Sequence, residues 1–250
     1  MRATLVLVVS LFLLPALASA LDDRGIDPDV SNVFGDGVAR ECAVYFYQDP
    51  MTESGRVGGL GFDVTVGGDL SYANISNYDV LFLPLVAPGA ITDYHDDIEM
   101  FVGGGGGLYI HQVNVVGTID YAPPGFEADI DNNFWCLPPE ANTIVNPGHP
   151  AMSGLVDADL PGRFDGVPVA GLGEGYVLLA TGTGTCVDDM HCAAGCYGEG
   201  HVFFDCSCIG ANSSIPGSDA YVVCVFNWLC EEAPSPAEST SWGQLKSIFQ

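Results

Sequence analysis

His111, Gln112 and Asn114 follow directly on the apolar run Leu108-Tyr109-Ile110, so three polar side chains close what reads as a buried strand. An imidazole titrates near neutrality, which makes His111 a candidate acid/base or ligand donor, while the two amides could orient a polar ligand. Asp205 ends a second apolar run, Val202-Phe203-Phe204. In a parallel sheet it would reach the same rim and assist His111, or it caps a turn. Tyr109, Tyr121, Phe126, Phe134 and Trp135 are the aromatic stock for lining a cleft, with Trp135 the candidate ligand contact. His149, in Asn146-Pro147-Gly148-His149-Pro150, either joins that rim or shapes the turn. No nucleophile or acidic orienter is recognisable beside His111. Ligand binding is therefore the first expectation, with acid/base catalysis by His111 one alternative and a structural or surface-assembly protein recognised through its C-terminal tail another.

Other clusters carry less. His191-Cys192, Cys196, His201, Cys206 and Cys208 are the residue types of a zinc site, but no Cys-x2-Cys pair is among them. Asp188-Asp189 lacks the spacing of a calcium loop. No cofactor is expected, and neither calcium nor zinc is favoured. The five glycines 103–107 come after a helical pattern and before a strand, the reverse of a phosphate loop, and no Gly-Lys-Ser/Thr follows. They read as a permissive turn.

The elements that must position these residues alternate. Residues 42–47, 62–66, 80–83 and 108–110 read as strands, and 52–60 and 92–102 as helices, the second with an apolar stripe at Ile91, Tyr94, Ile98, Phe101 and Val102. Residues 113–144, with Pro123-Pro124 and Pro138-Pro139, read as an insertion over the strand ends. Residues 176–180 and 201–205 read as strands bracketing a cysteine-rich loop, and 221–229 as a closing helix with strand as its competitor.

Several pieces in this order resemble the class I glutamine amidotransferase-like superfamily, and within it the ThuA-like group. They are Asp79-Val80-Leu81-Phe82-Leu83, Phe101-Val102-Gly103 through Gly107-Leu108-Tyr109-Ile110-His111, His149-Pro150-Ala151-Met152-Ser153-Gly154-Leu155, and Gly200-His201-Val202-Phe203-Phe204 with Cys208-Ile209-Gly210. The resemblance spans residues 42–230. It implies an α/β fold, a flavodoxin-like three-layer sandwich with a mostly parallel sheet, here with a cysteine-rich loop inserted. A superfamily glutaminase carries its nucleophile in Gly-x-Cys-x-Gly. This chain has His111-Gln112-Val113 at the corresponding strand end, and Gly184-Thr185-Cys186 continues Val187-Asp188, so glutaminase activity is not expected. The group's link with sugar metabolism implies a carbohydrate ligand.

Composition sets the outer limits. Residues 1–20 join Arg2, an apolar core and Ala18-Ser19-Ala20, the pattern of a cleaved signal peptide, so the mature protein is expected outside the cytoplasm without a transmembrane segment. Residues 21–40 read as an extended arm, 41–230 as one domain, 231–238 as a linker, and 239–250 as a tail for sorting or anchoring machinery. Acids outnumber bases 32 to 6, for a net charge of -26, which repels nucleic acid and anionic membranes. Nine cysteines in an exported chain are expected mostly as disulfides, with at least one left over. Asn74-Ile75-Ser76 and Asn212-Ser213-Ser214 are glycosylation sequons.

Overall fold

The structure, a computed structural model, describes residues 42–50, 52–87, 89–112, 116–130, 135–136, 142–162, 164–165, 167–187, 189–207, 209 and 217–231. The signal peptide, arm, linker and tail expectations, Asn114, and the side chain of Trp135 lie outside the described residues.

The first half is a run of strand–helix units: β1 (Ala43–Tyr47), α1 (Glu53–Gly59), β2 (Asp63–Gly67), α2 (Tyr72–Ile75), β3 (Val80–Pro84), a 3-10 turn (Thr92–Tyr94) entering α3 (His95–Gly103), and β4 (Gly107–His111). β3 and β4 are buried at every position, as continuous apolar strands covered on both faces must be. Then come the short strands β5 (Gly117–Ile119), β6 (Ala128–Ile130), β7 (Trp135–Cys136), β8 (Asn142–Ile144), β9 (Phe164–Asp165) and β10 (Val167–Pro168). β11 (Val177–Gly182), β12 (Asp189–Tyr197), β13 (Gly200–Asp205) and α4 (Asp219–Leu229) finish the domain.

The main sheet has nine strands in the order β2-β1-β3-β4-β13-β12-β11-β8, with β10 on β12. The first five are parallel and the others antiparallel. The parallel part has the flavodoxin strand order, which reverses direction between β1 and β3. One face packs on α1 and α4 through Val44, Phe46, Phe82, Tyr109, Phe203 and Phe226. The other packs on α2, α3 and the β5–β6 hairpin through Leu81, Leu83, Ile98, Phe101, Ile110 and Phe126. Three layers result.

The expected cysteine-rich loop is largely strand. Asp189 to Tyr197 form β12, which turns at Gly198 into β13, and Cys192 and Cys196 stand on β12 rather than stapling a loop. Its residues are buried from Asp189 through Gly195, and most of them are small or apolar. One disulfide, Cys42–Cys230, ties the start of β1 to the end of α4, and Cys186 is also disulfide-bonded. Cys192, Cys196 and Cys224 are thiols.

The glycine run is a turn with a close approach. Gly105 has φ 108°, and a Cβ on Gly107 would lie 2.4 Å from the Leu229 carbonyl at the end of α4. Residues 221–229 are helix rather than strand because Ser218 caps α4, its Oγ accepting from Tyr221 N at 3.1 Å, and because the apolar residues of α4 face the sheet.

Candidate functional site

Alternation along β4 sends Tyr109 and His111 to the α1/α4 face and leaves Gln112 to the other. His111 therefore ends its strand at the carboxyl edge of the sheet, beside the β1/β3 reversal where open α/β sheets bind ligands. The backbone at this edge is unusual. Gln48, Asp49 and Thr52 after β1, and Leu85 after β3, all have positive φ, at 65°, 34°, 59° and 50°. These are the only non-glycine positive φ values among the described residues, and all four flank the reversal. Such conformations cost energy in non-glycine residues and gather where surrounding structure over-determines them for a purpose.

Glu53, the first residue of α1, projects into the same place. Its Oε1 lies 2.9 Å from His111 Nδ1, and both side chains are fully buried. Glu53 Oε2 is buried without a hydrogen-bond partner among the described residues. The approach is a contact at ion-pair distance rather than an aligned hydrogen bond, and it sets beside His111 an acidic residue that is not recognisable from its neighbours in the chain. Asp49 holds the helix start: its Oδ1 accepts from Glu53 N at 2.8 Å and its Oδ2 from Ser54 Oγ.

Asp205 sits opposite His111 in the β13–β4 register but does not meet it with its side chain. Its carboxylate accepts from Tyr109 Oη at 2.5 Å, Tyr221 Oη at 3.1 Å, Ser207 N at 2.8 Å and Ser207 Oγ at 2.6 Å. Burial, reinforced by the Asp205 charge, pushes both tyrosine hydroxyls well above their ordinary range, so they remain donors. His191 Nε2 is 3.9 Å away, and burial lowers that imidazole to about 4. Burial likewise raises the neighbouring Cys192 thiol, which leaves it a poor nucleophile. Asp205 is thus a structural hub, and the acidic partner of His111 is Glu53.

Gln112 is buried, and its Nε2 donates to Val86 O at 2.8 Å and to Tyr121 Oη at 2.5 Å. It anchors the loop after β3 to the 116–130 insertion, away from His111. His149 caps a 3-10 turn (Pro150–Met152), its Nδ1 accepting from Ala151 N at 3.2 Å, and packs edge-on against Trp228. Burial lowers it to about 4. Tyr109, Tyr121 and Phe126 are core residues, leaving no aromatic platform among the described residues of that set. Of the sequence candidates among the described residues, only His111 faces the β1/β3 reversal. Glu53 gave no signal: it lies in a short polar stretch, and its burial comes from tertiary packing. Elsewhere, His95, Asp96 and Glu99 on α3 bring ligand atoms within 4.8 Å of one another at a partly exposed position, with Tyr197 Oη donating to Glu99.

No family model matches the chain, and no curated protein matches it. Solved structures do. Two cytoplasmic proteins from Salmonella typhimurium superpose with TM-scores of 0.55 and 0.50 at 12% and 13% identity, covering 75% of this chain and 98% and 96% of theirs. A ThuA-like protein from Parabacteroides merdae superposes with a TM-score of 0.46 at 14% identity, covering 75% of this chain and 88% of its own. At such identities the likeness is one of fold, and the chain has an α/β sandwich fold with ThuA-like proteins among its structural neighbours.

Proposed function

We propose that this protein is a binding domain for a neutral, polyhydroxyl ligand, a carbohydrate, held at the β1–β3–β4 rim with Glu53 and His111 at its floor. The observation that carries this reading is the buried Glu53 carboxylate, whose Oε2 has no partner among the described residues. An unsatisfied buried polar atom costs roughly 1–3 kcal/mol, more when charged, and a donating hydroxyl would recover it. The chain's charge of -26 repels phosphates and carboxylates but leaves sugars indifferent. Both side chains are fully buried, which suits a small ligand better than a large one.

A second reading is an acid/base enzyme, a hydrolase or sugar-modifying activity. It is favoured by the 2.9 Å Glu53–His111 contact, which sets a carboxyl group beside a candidate base. With Cys192 raised and Asp205 committed, such an enzyme would have to activate water through His111. We place the protein outside the cytoplasm, supported by the Cys42–Cys230 disulfide, because such bonds persist where the surroundings are oxidising. We infer that residues 239–250 are a recognition or sorting tail, to be tested by deleting them and following the protein's location.

The test is a thermal-shift screen of the oxidised protein against neutral mono- and disaccharides, with calcium and zinc chloride alongside. The wild type is compared with His111→Ala and Glu53→Gln. A sugar at 100 times its dissociation constant should stabilise the wild type by about 2.7 kcal/mol, and the shift should vanish in Glu53→Gln. A shift that persists in both variants puts the ligand elsewhere, and no shift with any sugar removes the carbohydrate reading. Release of product from a shifting glycoside would select the enzyme instead.

A further inference from the structure

α1 is a poor helix on its own terms. It is seven residues long, Glu-Ser-Gly-Arg-Val-Gly-Gly, with three glycines and no side-chain cap at Thr52. Glycine inside a helix and a length under two full turns both work against it. Something outside the helix must set its rotation, because rotation decides where Glu53 points. A turn of 20° about the helix axis would carry a side-chain tip by about 2 Å, enough to break a 2.9 Å contact with His111.

We infer that Arg56 is the positioning residue for the Glu53–His111 pair. It is the only lysine or arginine among the described residues of a chain with 32 acids, and its side chain is 12% exposed. Its charge is spent inside the fold rather than on the surface. Nη1 donates to Ile209 O at 2.6 Å, and Nη2 to Gly217 O at 2.6 Å and Asp219 Oδ1 at 2.8 Å, while Nε adds Asp219 Oδ1 at 3.3 Å. A planar guanidinium held by three groups on different parts of the chain admits one orientation, where an ammonium would not. Asp219 begins α4, whose Tyr221 donates to Asp205. Arg56 therefore clamps the helix carrying Glu53 to the helix that completes the Asp205 hub. Asp49 fixes the front of α1, and Arg56 fixes its back.

The inference rests on the reading of Glu53 and His111 as the site, but its test needs no ligand. The imidazole nitrogens of the five histidines are recorded by 15N NMR in the full oxidised chain, with His111→Gln used to assign His111. In Arg56→Gln the His111 signals should move or broaden while those of His149 and His201 hold. Arg56→Lys should fail to restore them, since it keeps the charge and loses the fork. Unchanged His111 signals in a folded Arg56→Gln overturn the inference. If Arg56→Gln does not fold, Asp219→Asn, altered at a 71% exposed side chain, decides it. A smaller displacement of His111 alone supports the clamp, and no displacement overturns it. A failed sugar screen would leave this result standing and sink only the functional reading.

Discussion

Four hydrogen bonds converge on the Asp205 carboxylate, and no lysine or arginine is among their donors. That arrangement keeps an anion in the interior by dipoles rather than by a counter-charge. Tyr221→Phe removes one bond to a charged acceptor and should cost about 1.5–3 kcal/mol in urea unfolding. Asp205→Asn should cost more, because it weakens every bond at once while the tyrosines stay buried. The histidines set the acid limit. His149, His191 and His201 are each lowered to about 4 by burial. Unfolding frees each to take a proton at its ordinary value of about 6.5. Their contribution to stability is thus whole above that pH and lost as pH falls towards 4. Fully buried His191 alone should cost about 2 kcal/mol between pH 6.5 and 5. Melting temperatures across that range check the slope, and a flat profile would contradict it. Protonation of His149 also removes the acceptor that caps the Pro150–Met152 turn.

The glycines before β4 show how an element is placed by what cannot fit. Gly107→Ala would push a methyl into the Leu229 carbonyl and should destabilise the fold by about 1–3 kcal/mol, measured by urea unfolding. Strands β1, β3 and β4, helix α3 and the glycine turn were legible because each repeats one local pattern: an apolar run, a 3.6-residue stripe or a glycine cluster. His111 was legible because it ends such a run. β12 was not, since its cysteines read as disulfide staples while Ala193, Ala194 and Gly195 carry no alternation. Glu53 was not, because an acid at the front of a glycine-rich helix looks exposed until β4 and α1 meet. The sheet's pairing decides that meeting, and pairing is not a local property.

Across the whole domain, two features follow from charge and cross-linking. The Cys42–Cys230 bond closes a loop of 188 residues, for which the chain-entropy relation gives about 5 kcal/mol. Replacing Cys42 and Cys230 by alanine, which leaves the Cys186 disulfide in place, should lower the melting temperature by roughly 10 °C or more at a few degrees per kcal/mol; an unchanged melt would show that the α4 packing holds without it. With Arg56 used internally, the described surface presents acids without a lysine or arginine to offset them. Self-repulsion should ease as salt screens it, so the melting temperature should rise between low and molar sodium chloride. The measurement that bears most directly on the site is a crystal structure of the oxidised protein grown with the sugar giving the largest thermal shift. A ligand hydroxyl about 2.7 Å from Glu53 Oε2, with His111 still against Oε1, is the predicted result. A sugar bound away from the β1–β3–β4 rim, with Oε2 contacting only protein or water, would contradict it.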